Sequence, residues 1–149
     1  MKAAEGAIGR VFVLRLEDDD MIPGCIEAFA LERGIRVGQV LFIGGLGSGE
    51  VVTGPRDSFR MPPDPIRIPV EGAHETIGVG LLAPDDAGTP RLHVHGALGR
   101  AGRTTTGCLR NGVSTWFMIE AIVVELKVDV CRRPDCASGL SLLQFDRSA

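Results

Sequence analysis

Past residue 34, turn signals cut the chain repeatedly, and no second substantial helix is read there. Pro62-Pro63-Asp64-Pro65, Pro84-Asp85-Asp86-Ala87-Gly88, Gly99-Arg100-Ala101-Gly102, Asn111-Gly112 and the stretch from Pro134 to Gly139 each break the run. Proline fixes φ and glycine admits left-handed turns, so these clusters end regular elements. The apolar stretches between them, 37–53, 66–70, 74–82, 91–98, 104–109, 115–130 and 140–145, read as strands. Residues 9–16 alternate as well, with Val11, Val13 and Arg15 on one face and Phe12, Leu14 and Leu16 on the other. Only Ile22, Cys25, Ile26 and Phe29 recur at helical spacing. Pro23 suits a first helical turn and Gly34 a C-terminal stop, so the spacing predicts one helix over about 22–33. The sum is an α+β fold, mainly an antiparallel β-sheet with one principal helix. At 149 residues a single domain is expected, 1–149, with its core over about 9–145.

Charge narrows the function. Sixteen basic and nineteen acidic residues give a net charge of −3, whereas unaided duplex binding draws its affinity from a basic excess. Direct DNA binding is therefore expected to be weak, with the Arg100 and Arg103 hairpin the one concentrated basic site. Tyrosine is absent and aromatics are 5%, which removes a stacking platform for single strands. No apolar run approaches the eighteen or so residues of a membrane span, and the first residues lack the core of a signal peptide. The expectation is a cytoplasmic protein with mostly reduced cysteines. Cys131 and Cys136 flank Arg-Arg-Pro-Asp with no matching second pair, which reads as a pair around a turn.

Two motifs invite chemistry. Gly44-Gly45-Leu46-Gly47-Ser48-Gly49 resembles a phosphate loop, but strand-like Glu50-Val51-Val52-Thr53 follows where a helix N-terminus is needed. A bulged or sharply bent strand is the better reading. The second motif is Arg91-Leu92-His93-Val94-His95-Gly96. Two imidazoles at i and i+2 on a strand share a face, a natural beginning for a metal site. Cys108 completes a triad if the hairpin register sets it opposite His95; His74 is the alternative third ligand. Two imidazoles and a thiolate suit zinc, with a fourth position open to water or an anion. Between Asp86 and Glu120 there is no acidic residue, and Arg91 and Arg110 fall on the faces of the histidine pair and of Cys108. They are the candidate anion-binding groups. A cupin reading fails, because Gly96 to Gly107 holds no acidic ligand. Glu75 is the nearest candidate base in sequence to a histidine, and no catalytic residue is assigned.

The ordered set of Gly9-Arg10-Val11-Phe12-Val13-Leu14, one helix, the Gly-rich strand 40–49, His74-Glu75, His93-Val94-His95, the 98–103 hairpin, Thr106-Gly107-Cys108-Leu109 and a closing Ser138-Gly139-Leu140 turn resembles the PPC (plant and prokaryote conserved) domain. The likeness covers about 9–145. It implies a compact α+β fold, a homotrimer, and the stand-alone prokaryotic type, a group often labelled DNA-binding. Some members carry a histidine pair and a third histidine in Gly-His-Leu. His93 and His95 match the pair, and Gly107-Cys108-Leu109 places cysteine at the third position. No Arg-Gly-Arg-Pro AT-hook is present. The resemblance leaves two roles open. One is a DNA-associated regulatory domain that contacts a DNA-binding protein partner. The other is a metal-dependent enzyme or sensor acting on a small anionic ligand.

Overall fold

The structure is a computed structural model and describes residues 1–110 and 112–145. Its elements run β1 (Ala7–Glu17), β2 (Met21–Ile22), α1 (Gly24–Glu32), β3 (Gly38–Pro55), β4 (Pro65–Pro84), β5 (Pro90–Arg100), β6 (Arg103–Cys108), β7 (Val113–Lys127), β8 (Val130–Asp135) and β9 (Leu140–Phe145). The main sheet is antiparallel in the order β1-β7-β3-β4-β5-β6, with β2 beside β7. A further pairing, Val52 with Cys108, joins β6 back to β3. The strands β3, β4, β5 and β6 thus close on one another, and β8 and β9 form a separate hairpin.

The one helix among the described residues is where its spacing put it, one or two residues shorter at each end. Pro23 is its N-cap and Gly34, at φ 64°, ends it. Ile26 and Ala30 are buried, and the helix packs on β2 and β5. Its C-terminus is tied to β1, since Arg10 Nη2 donates to the Arg33 carbonyl while Nε and Nη2 pair with Glu125 on β7. The core lies between helix and sheet, with Ile22, Ile35, Val40, Phe42, Leu82, Val94, Leu98 and Ile119 among its buried members.

Two expected breaks differ. Residues 66–70 and 74–82, read as separate strands, belong to one continuous strand, β4, because the chain between them passes through a bulge. Gly72 takes φ 74° there, and the β3 partner register shifts between Leu46 and Ser48. The long apolar run 115–130 is split instead, into β7 and the start of β8. The glycine-rich 44–49 segment is strand with register shifts against β7, so no phosphate loop forms. At Gly44 a side chain would collide with the Met118 carbonyl, which explains why this bend needs glycine. The turn signal at Asn111-Gly112 falls partly outside the described residues, since Asn111 is not among them.

A candidate metal centre on the β5–β6 hairpin

Strand alternation builds the site. Along β5, Leu92 and Val94 point into the core while Arg91, His93 and His95 point out. The hairpin register sets His95 directly opposite Cys108, so all three candidate ligands share one face. The register is held by the tight Arg100–Arg103 turn, with Ala101 at φ 50° and Gly102 at φ 77°. Gly107 is needed for a second reason. A Cβ there would meet the Val52 carbonyl, so glycine lets β6 approach β3 and brings Cys108 into place.

The ligand atoms of His93, His95 and Cys108 all lie within 4.8 Å of one another. The two Nε2 atoms are 3.2 Å apart. Two imidazole nitrogens on a tetrahedral zinc at their usual bond lengths are separated by about 3.3 Å, so the pair already has ligating spacing. The two imidazoles are exposed, whereas Cys108 is 6% exposed although it lies on the outer face. Its position at the β3–β6 closure, beside the C-terminal hairpin, accounts for this.

Burial pushes the His93 pKa below its ordinary value, and the charges of Arg132, His95 and Arg110 add to the effect. Neutral imidazole is the ligating form, and the lowered pKa keeps His93 in that form as pH falls.

Two cavities meet at the centre. One, of about 540 Å³, is lined by Arg91, His93, Cys108, Arg110, Arg132 and neighbouring apolar groups. The other, of about 470 Å³, lies against His95, Cys108, Arg110 and the prolines 62, 63 and 65. Cys108 and Arg110 line both.

The remaining candidates are distributed differently. Arg91 lines the first cavity, but its guanidinium is held by Asp85 at 2.9 Å and Glu27 at 3.6 Å. Arg110 stays at the centre. His74 bonds the Gly72 carbonyl through Nδ1 at 2.7 Å. It is five residues along β4 from Val79, the partner of His95, and therefore about 16 Å away on the opposite sheet face. Glu75 pairs with Gly99 near the far end of β5. Cys131 lies on β8 and Cys136 just past it; both are free thiols.

The residue not foreseen is Arg132 on β8. It is 8% exposed and donates from Nη2 to the Leu81 carbonyl at 3.1 Å. Its sequence signal is slight: in Val130-Cys131-Arg132-Arg133, alternation puts Arg132 on the same inward face as buried Val130.

Residues 3–127 match the Plants and Prokaryotes Conserved (PCC) domain. The chain belongs to this family. The PPC resemblance therefore holds, and the solved structures agree. A plant- and prokaryote-conserved protein of Pyrococcus horikoshii superposes with TM-score 0.79 at 23% identity, covering 97% of both chains. A protein of Archaeoglobus fulgidus described as metal-containing gives 0.81 at 26% identity, covering 97% of this chain and 99% of that one. A Bacteroides thetaiotaomicron protein described as a "putative DNA binding protein" gives 0.76 at 20% identity, covering 98% and 100%. No curated protein matches the sequence.

Proposed function

We propose that this PCC-domain protein is a homotrimeric regulatory domain whose His93, His95 and Cys108 hold one zinc ion, and that it acts at DNA through a partner protein. The observation that carries the reading is the convergence of three donor atoms from adjacent strands within 4.8 Å. The donor set, two nitrogens and one sulfur, is borderline soft and suits zinc over magnesium or calcium. The metal-containing description of the Archaeoglobus protein is consistent with such a centre. A role at DNA is supported by the description of the Bacteroides protein, and its indirect nature by charge. A trimer carries 3 × (−3) = −9, which phosphate repels.

Trimer formation is supported by the sheet face that carries the histidines. Val13, Leu41, Ile43, Ile77, Val79 and Ile122 are exposed there on neighbouring strands, and Val13 is 77% exposed. A contiguous apolar face of this kind is normally covered.

Elemental analysis of untagged protein tests the centre: one zinc per chain is expected, and protein that takes up none after dialysis against zinc contradicts it.

A second reading, a sensor or metal-dependent enzyme for a small anion, is favoured by the cavity that His93 and Cys108 share with Arg110. Bound zinc would supply Lewis acidity there. Glu27 is the one carboxylate among the described lining residues, and it holds Arg91 and the Leu92 amide. With no free carboxylate base among the described lining residues, binding is the better supported of the two activities.

A further inference from the structure

Arg132 has a feature that the metal centre alone does not require. Its Nε is fully buried and has no hydrogen-bond partner, while Nη2 bonds the Leu81 carbonyl. A buried guanidinium N–H without an acceptor is costly and calls for an explanation, and an anion in the adjoining cavity supplies one. Arg132 lines the cavity of about 540 Å³ beside His93, Cys108 and Arg110. It sits beyond residue 127, outside the family-matched segment, on the hairpin that roofs this cavity.

We propose that Arg132 and Arg110 form a binding site for the carboxylate of a small organic acid, seated against the His93–Cys108 side of the cavity. The inference deepens the small-anion reading and rests on it. Nη2 spends one of its two N–H groups on Leu81, and the Nε–H with the remaining guanidinium N–H groups is left to pair with the two oxygens of one carboxylate. Arg91 is neutralised by Asp85 and Glu27, which leaves Arg110 as the second cation facing the space. The rest of the lining includes Leu92, Leu140 and Leu142, which suit a short apolar tail. Arginine pairs with phosphate as well as carboxylate, but the oxygens of a free phosphate gain nothing from those leucines.

Pyruvate is the probe, titrated into protein labelled with ¹⁵N-arginine, both stripped of metal and loaded with zinc. The buried Arg132 Nε–H cross-peak should shift saturably. Ligand-detected NMR should show pyruvate affinity falling about tenfold or more in Arg132→Lys, which keeps the charge but loses the fork, and in Arg110→Gln, an exposed position that folding tolerates. An unmoved cross-peak, or unchanged affinity in both variants, overturns the proposal. So does inorganic phosphate displacing pyruvate at lower concentration. Saturable pyruvate binding to a protein that never takes up zinc supports the carboxylate site while removing the metal centre, so the two failures are distinguishable.

Discussion

Cys108 differs from the other three cysteines in what surrounds it. Cys25 is half-buried against the core, and burial, with the charge of Asp20 adding, pushes its thiol up to about 11. A thiol held that high is scarcely ionised near neutrality and reacts slowly. Cys136 is exposed. Alkylation at pH 8 followed by peptide mapping should therefore label Cys136 well before Cys25; equal rates for these two would contradict the burial account of Cys25. Cys108 is shielded by burial yet faces two imidazoles and Arg132, which places it for ligation rather than free-thiol chemistry. The histidine pair was legible at this scale because a strand's period of two leaves no other face for i and i+2. Arg132 was not, since nothing in a basic doublet says which arginine turns inward or which carbonyl receives it.

At the scale of elements, the site depends on one close approach, β6 against β3. Gly107→Ala would drive a methyl into the Val52 carbonyl. The expected cost is about 1–3 kcal/mol of overpacking, with loss of the His95–Cys108 register. Urea denaturation and zinc titration of this variant should fall together; an intact zinc affinity would show that the closure does not position Cys108. A second junction ties β1, the helix end and β7 through Arg10 and Glu125. Hydrogen bonds from the Arg10 side chain, then its backbone N–H, hold the Glu125 carboxyl at about 2 against an ordinary 4.5. A depressed carboxyl stabilises the fold above its ordinary range, and that stability is lost as pH falls through about 2. Arg10 is half exposed, so Glu125→Gln should cost no more than about 1 kcal/mol at pH 7, and the difference should shrink between pH 4.5 and 2. A gap that persists at pH 2 would contradict the assignment. Most elements were legible because turn residues punctuate them. The joining of 65–84 into one strand was not, because a bulge and a turn share the same glycine signal at Gly72 and only the partner strand decides between them.

For the molecule as a whole, the exposed apolar face and the net charge point the same way, toward self-association and away from bare DNA. Light scattering on untagged protein should give three times 15.8 kDa, and Ile43→Lys in the middle of the face should lower it. A mass near one chain at micromolar concentration would contradict the trimer. Duplex DNA should bind weakly at physiological salt; nanomolar affinity would contradict the indirect role. The sequence carried the family order and the candidate triad His93, His95 and Cys108, but not the cavity beside it, because β8 and β9 reach that cavity through tertiary packing that no local pattern encodes. The account turns on whether the triad is a metal centre, and zinc affinity of the wild type against Cys108→Ser, measured by chelator competition, addresses this most directly. One zinc per chain in the wild type and a sharp loss in the variant, tenfold or more on the scale of roughly 1.4 kcal/mol per decade, is the predicted result. Equal binding by the two proteins, or none by the wild type, would contradict it.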